Sequence, residues 1–109
     1  MAVLLTGATG YLGSYVAAEL LADHHEHLAL LIRAESIEAA KRRLWRALQL
    51  HMDFAQFHDY LQRIDLYIGD ITQARLGLKT VEWDRLVETT ESVIHAAAAV
   101  NRISTRLCF

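Results

Sequence analysis

Short apolar runs recur along the chain, and they alternate with stretches that have helical spacing. We predict strands at four of these runs, which are AVLLT at residues 2–6, HLALLIR at 27–33, IDLYIGD at 64–70, and SVIHAAA at 92–98 with the turn beyond it. Runs of this length, apolar on both faces, are typical of buried strands in a parallel sheet.

The stretches between the runs predict helices. In YLGSYVAAELLAD, residues 11–23, apolar side chains fall at the spacing that puts them on one face: Leu12, Val16, Ala17, Leu20 and Leu21. Ser36 can cap a second helix, and Glu38 would stand in its first turn. The apolar side of that helix carries Ile37, Ala40, Leu44, Ala47 and Leu48. Residues 52–62 predict a loop or short helix, and residues 83–90 a short helix.

This alternation predicts an α/β protein with a parallel sheet covered by helices on both faces. Right-handed crossovers favour the strand order 3-2-1-4, which is the core of a Rossmann-like NAD(P)-binding fold. We expect residues 1–109 to form a single such domain, truncated after the fourth strand, with the catalytic and substrate portions absent.

Composition narrows the class of protein further. The chain has 109 residues, 53% of them hydrophobic, so a packed core is expected. A net charge of −2 argues against nucleic-acid binding, and the apolar runs are too short to span a membrane. Cys108 is the single cysteine and no signal peptide is visible, so we expect a cytoplasmic protein.

The stretch TGATGYLG, residues 6–13, follows the first predicted strand and opens the first predicted helix. Such a turn is typical of a diphosphate site, because the helix offers unpaired N–H groups and a partial positive charge. Gly7 would permit the tight turn, Gly10 would let the backbone approach the phosphates, and Gly13 would let the helix pack closely. The alternative interpretation is an ordinary glycine turn.

The identity of the dinucleotide depends on the end of the second strand. NAD-binding folds usually place an acidic residue about 20 residues after the loop, and this spacing reaches Arg33. A guanidinium there favours the 2′-phosphate of NADP(H). More positive charge follows at Lys41, Arg42, Arg43 and Arg46. The cluster could instead be a solvated helix face, and Glu35 keeps NAD open.

Four motifs together resemble the N-terminal portion of thioester reductase domains. These are extended short-chain dehydrogenase/reductases at the end of carboxylic acid reductases and of some non-ribosomal peptide synthetases. The motifs are VLLTGATGYLGSYVAAELL, LLIRAESIEAAKRRLWRAL, GDITQARLGL and VIHAAAAVN, and they cover about residues 3–101.

The resemblance implies cofactor-binding roles at matching positions. Thr9, Gly10, Tyr11 and Leu12 would contact the pyrophosphate, while Arg33 and Arg43 would bind the 2′-phosphate. Asp70 and Ile71 would border the adenine, and Ala96, Ala97 and Ala98 would pass beside the nicotinamide ribose. For the alanines, close packing alone is the alternative. Relatives usually have asparagine at the position of Ala96.

The resemblance also implies an activity for the parent protein. The family reduces an acyl thioester, carried on an acyl or peptidyl carrier protein, to an aldehyde or alcohol with NADPH. Its chemistry uses a serine or threonine, a tyrosine, and a lysine four residues after that tyrosine. Tyr11, Tyr15, Tyr60 and Tyr67 are followed at that spacing by Tyr15, Glu19, Ile64 and Ile71.

We therefore assign no catalytic residue and expect the chain alone to be inactive. Two other functions stay open: the cofactor-binding part of another extended relative, such as an epimerase, or a non-enzymatic NADP-binding module. An epimerase would favour an acidic residue at position 33. The cluster at His24, His25, Glu26 and His27 is expected to be a polar turn, and no metal site is assigned.

Overall fold

A computed structural model describes residues 2–96 of the chain. Four parallel strands form one sheet in the order β3-β2-β1-β4, so the predicted fold class and strand order are confirmed. The strands are β1 (Ala2–Thr6), β2 (Leu28–Ile32), β3 (Ile64–Ile68) and β4 (Thr90–His95). The helices are α1 (Tyr11–Asp23), α2 (Ile37–Leu48), α3 (Phe54–Tyr60) and α4 (Thr80–Thr89). Short 3-10 helices lie at Leu61–Arg63 and Ala74–Gly77.

The sheet separates two apolar clusters, because successive side chains of a strand point to opposite faces. On one face, Leu5 of β1 and Leu30 of β2 belong to the larger cluster, with buried side chains of α1, α2 and α3. On the other face, Leu4 and Leu31 pack in the smaller cluster, which includes Leu86 of α4. The two inner strands β1 and β2 are therefore covered on both faces.

Capping side chains fix the starts of two helices that pack in the larger apolar cluster. Ser36 Oγ accepts a hydrogen bond of 3.1 Å from the backbone N–H of Ala39, so the predicted cap of α2 is present. Residues 52–62, which were predicted to be a loop or short helix, contain α3. Asp53 caps this helix by accepting from the backbone N–H of Gln56 at 2.9 Å, and the Gln56 side chain accepts in return from the Asp53 backbone N–H.

Two expectations about the elements were wrong. Helix α4 begins at Thr80 rather than at residue 83, and Glu82 in its first turn accepts from the Lys79 backbone N–H at 3.4 Å. The outer strands are also not apolar and buried throughout, since Asp65 in β3 and Val93 in β4 are exposed. Within residues 2–96 these strands have a neighbour on one side only, so less of the molecule covers them.

Within residues 2–96, no helix is both long enough and apolar enough to cross a bilayer.

Candidate dinucleotide-binding site

The site is built around the turn that joins β1 to α1. Gly7 has φ = 84°, in the left-handed region that favours glycine, and its carbonyl accepts a hydrogen bond of 3.0 Å from the Gly10 N–H. A Cβ on Gly13 would lie 1.8 Å from the Gly7 oxygen, which no side chain can occupy. Gly7 and Gly13 thus allow α1 to begin directly against the end of β1.

Gly10 differs from the other two glycines. A Cβ built on it would lie 3.5 Å from the Gly7 oxygen, an ordinary contact, and its φ of −87° is accessible to any residue. The described protein therefore has room for a methyl group at this position. Glycine is a common N-cap residue, and at position 10 it also leaves the outer side of the turn free of a side chain.

The N-terminus of α1 also lacks a side-chain cap. Its N-cap is Gly10, and no acidic residue stands in its first turn. The first N–H groups of a helix have no partner within the helix, and they carry partial positive charge. Tyr11 and Leu12 in this turn are exposed residues.

A cleft of about 300 Å³ opens at the carboxyl ends of β1, β2 and β3. Its lining residues are Thr6, Gly7, Thr9, Leu31, Ile32, Arg33, Arg43, Gly69, Asp70, Ile71 and Thr72. Such crevices beyond the carboxyl ends of parallel strands are where open α/β sheets bind ligands. The structure thus brings together Gly7, Thr9, Arg33, Arg43, Asp70 and Ile71, which the sequence had placed at one cofactor site.

Two guanidinium groups lie at the end of β2. Arg33 Nε is 3.7 Å from Asp70 Oδ2, and the Arg33 side chain is 76% exposed. Arg43 of α2 donates to the backbone carbonyl of Arg33. The Arg33 end of this pair lies in solvent, while the Asp70 side chain is 21% exposed. An ion pair with one exposed partner contributes little to stability, so Arg33 is available to another anion.

Asp70 itself is fixed by Thr72, which the sequence analysis missed. The Thr72 backbone N–H and hydroxyl both donate to Asp70 Oδ1, at 2.9 and 2.7 Å. These bonds, with a smaller effect of Arg33, hold the pKa of Asp70 below its ordinary value, although partial desolvation opposes them. The Asp-x-Thr spacing was a readable signal, because Asp side chains often bond the backbone two residues on.

A second groove, of about 420 Å³, lies on the α2 side of the same turn. It is lined by Thr9, Gly10, Tyr11, Ser14, Arg43, Arg46, Ala47 and Leu50. Arg43 and Thr9 border both the cleft and the groove, and Arg46 adds a further positive charge to the groove. Lys41 and Arg42 line neither of them, although both are exposed on α2.

The predicted nicotinamide side of the site is only partly described. Ala96 is 6% exposed, and its N–H bonds the Thr6 carbonyl at 3.1 Å, in line with close packing beside β1. The neighbouring Thr6 hydroxyl lies 2.5 Å from His95 Nδ1. Ala97 and Ala98 lie outside the described residues. Across residues 2–96, no group of three His, Cys, Asp or Glu side chains could hold a metal ion.

Comparison with known proteins identifies the family of the chain. A sequence profile of an NAD-binding family described as male sterility protein matches residues 5–106. The chain is 41% identical over 106 residues to an isonitrile lipopeptide synthase of Mycobacterium tuberculosis, covering 91% of the chain and 4% of that protein. It is 38% identical over 109 residues to a carboxylic acid reductase of the same organism, covering 93% of the chain and 9% of that protein.

A solved structure agrees with these relatives. The reductase domain of a non-ribosomal peptide synthetase from Mycobacterium tuberculosis superposes with a TM-score of 0.77 at 39% identity, covering 94% of the chain and 25% of that domain structure. The chain thus spans a small fraction of these curated relatives and about a quarter of the solved domain. It belongs to the NAD-binding family described as male sterility protein, and its resemblance to the N-terminal portion of thioester reductase domains is confirmed.

Proposed function

We propose that this chain binds NADP(H) and is the cofactor-binding portion of a thioester reductase. The observation that carries the proposal is the uncapped N-terminus of α1, which opens beside a cleft bordered by Arg33 and Arg43. A helix N-terminus suits a diphosphate, and paired guanidinium groups suit a phosphate monoester. NADP-binding Rossmann folds use the same kinds of feature, a helix N-terminus after the first strand and an arginine for the 2′-phosphate, which supports the proposal.

The residues fit the parts of the dinucleotide one by one. The diphosphate would lie against the N–H groups of the first turn of α1, where Gly10 leaves room for it. The adenosine would occupy the cleft between Gly7 and Ile71, whose volume of about 300 Å³ is at the lower end of ligand sites. The 2′-phosphate would replace Asp70 as the partner of Arg33, with Arg43 beside it.

The proposed reaction belongs to a larger protein. Bound NADPH would supply a hydride to an acyl thioester on a carrier protein, yielding an aldehyde and the free carrier thiol, and a second hydride from another NADPH would yield the alcohol. Support comes from the relatives, which include a carboxylic acid reductase and a lipopeptide synthase. No tyrosine here is followed by a lysine four residues later, so we propose no catalytic residue in this chain and no turnover by it alone. We place the protein in the cytoplasm.

Calorimetric titration with NADP⁺ and NAD⁺ tests this function. We expect tighter binding of NADP⁺, and we expect Arg33→Ala to weaken NADP⁺ by about 10- to 100-fold with little change for NAD⁺, because hydrogen bonds to charged groups contribute about 1.5–3 kcal/mol. Arg42→Ala is the matched control, since Arg42 is exposed on α2 but lines neither the cleft nor the groove. Equal affinity for both dinucleotides, or no binding, would contradict the proposal.

A further inference from the structure

The first turn of α1 lacks the usual means of stabilisation at a helix start. A side-chain cap accepts a hydrogen bond from one of the first free N–H groups, and Gly10 supplies none. A cap would also occupy the N–H groups that the proposed diphosphate needs. Other contacts must therefore hold this turn in one conformation if its N–H groups are to keep a constant geometry.

Ser14 fixes the turn from its inner side. Its backbone N–H bonds the Gly10 carbonyl at 2.9 Å, and its hydroxyl donates to the Tyr11 carbonyl at 3.0 Å. Ser14 is only 2% exposed, so the hydroxyl is shielded from water. Both bonds span the residues whose N–H groups face the proposed diphosphate.

His51 lies at one of the two acceptor positions of the Ser14 hydroxyl. The distance from Ser14 Oγ to His51 Nε2 is 3.2 Å. Because the Ser14 hydrogen is directed to Tyr11, His51 must donate through Nε2–H. The imidazole is half-buried, and its edge contacts the Tyr15 ring with centroids 5.3 Å apart.

His51 is itself held by the turn that ends α2. Its backbone N–H bonds the Leu48 carbonyl at 2.8 Å, and Leu48 is fully buried in the larger apolar cluster. Elsewhere the 420 Å³ groove separates the first turn of α1 from Arg43 and Arg46. Among residues 2–96, the bond from His51 to Ser14 is the one side-chain hydrogen bond between residues 37–51, which are α2 and the turn after it, and α1.

We propose that His51 is a positioning residue for the dinucleotide diphosphate. Acting through Ser14, it ties the phosphate-facing turn of α1 to the rigid end of α2, so that the free N–H groups keep one geometry. This inference rests on the proposed function. His51 does not touch the dinucleotide, and its effect falls equally on NADP⁺ and NAD⁺, which share the diphosphate.

The test measures affinity in variants of the full-length protein. One hydrogen bond contributes about 0.5–1.5 kcal/mol net, so His51→Ala should weaken NADP⁺ and NAD⁺ by the same factor, about 2- to 10-fold. Adenosine 2′-monophosphate has no phosphate at the 5′ position, so its affinity should stay unchanged. His51→Gln should restore both dinucleotides, because its amide nitrogen can donate from nearly the same place as Nε2.

His51→Asn provides a second comparison if His51→Ala does not fold, since it keeps a polar side chain that is too short to reach Ser14. We expect Asn to behave as Ala and Gln as the native residue. His58→Ala is the control, because His58 is exposed on α3 and contacts Phe54 rather than α1. Circular dichroism should show the same helix content in all variants that are titrated.

The outcomes separate this inference from the proposed function. Unchanged dinucleotide affinity in both His51→Ala and His51→Asn would overturn the positioning role while leaving NADP(H) binding intact. An equal loss of adenosine 2′-monophosphate binding would also overturn it, since that would indicate general destabilisation. Failure of the native protein to bind any dinucleotide would overturn both proposals.

Discussion

Gly10 and Gly13 are glycines for different physical reasons. A side chain at Gly13 would collide with the backbone of Gly7, so the requirement lies inside the folded protein. A side chain at Gly10 would meet only an ordinary contact, so the fold tolerates one there, and we attribute this glycine to the proposed diphosphate. Substitution at these two positions can therefore separate folding from ligand binding.

We expect Gly13→Ala to lower the free energy of unfolding by about 3 kcal/mol, because α1 must shift away from the turn after β1. Gly10→Ala should change that free energy by less than about 1 kcal/mol, since a lower unfolded-state entropy offsets the poorer helix cap. It should nevertheless weaken NADP⁺ binding, because we propose that the phosphates approach the turn at this position. Urea unfolding and calorimetric titration measure the two quantities.

The interpretation would fail if Gly10→Ala unfolded the protein as strongly as Gly13→Ala. It would also fail if Gly10→Ala bound NADP⁺ as tightly as the native chain does.

At the residue scale, the sequence could predict what depends on neighbours along the chain. The spacing of the three glycines and the cap at Ser36 are local signals of this kind. The bond between Ser14 and His51 joins residues 37 positions apart. No sequence pattern predicts that a serine and a histidine at that separation are in contact. Such a contact follows only from the packing of α1 against the end of α2.

At the element scale, the C-terminus of α1 depends on a residue far along the chain. No basic residue stands in its last turn, and His25 just beyond it has φ = 51°. Arg63 donates to the Leu21 carbonyl at 2.5 Å and to the Glu26 carbonyl at 2.8 Å. One guanidinium thus satisfies carbonyl groups at the end of α1 and in the loop before β2, while it also lies over the Tyr60 ring.

We expect Arg63→Ala to lower the free energy of unfolding by about 1.5–3 kcal/mol, the range for a hydrogen bond to a charged group. The loss would come from carbonyl groups left without their charged donor. Arg63→Lys should recover part of it, since an ammonium group cannot donate in the same fork. Urea unfolding monitored by circular dichroism gives the values, with Arg42→Ala as the control. Similar stability of Arg63→Ala and Arg42→Ala would show that these bonds contribute little.

The sequence predicted the elements better than their ends. The predicted strand at 27–33 is Leu28–Ile32 in the structure, because its apolar run marks the buried part clearly. The sequence placed the start of α4 too late. Val81, in the first turn, is 79% exposed and does not belong to the apolar face by which a helix is recognised. The acidic residue Glu82 was the remaining signal for that helix start.

At the scale of the whole molecule, the strand order followed from the alternation of elements and the handedness of crossovers. The exposure of β3 and β4, the outer strands within residues 2–96, did not, since a strand's position in the sheet is set by the full arrangement rather than by its own residues. The cleft has the same origin, because it is formed by residues from three separate strand ends.

Binding at this cleft should stabilise the whole fold. A ligand present at 100 times its dissociation constant raises the free energy of unfolding by about 2.7 kcal/mol when it binds only the folded state. We expect that gain with NADP⁺, and a smaller one with NAD⁺ at the same concentration. Differential scanning fluorimetry detects it as a rise in Tm. An unchanged Tm at saturating NADP⁺ would contradict a site that depends on the folded sheet.

The inner position of β1 also bears on how the protein is made. Residues 2–6 are translated before the other three described strands, yet one of their two partners, Thr90–His95, is translated last of the four. On the ribosome, the apolar β1 segment must therefore wait with one side unpaired while most of the described chain is synthesised. Pairing between such distant segments is slow to form, so these four strands cannot assemble one by one and must wait for β4.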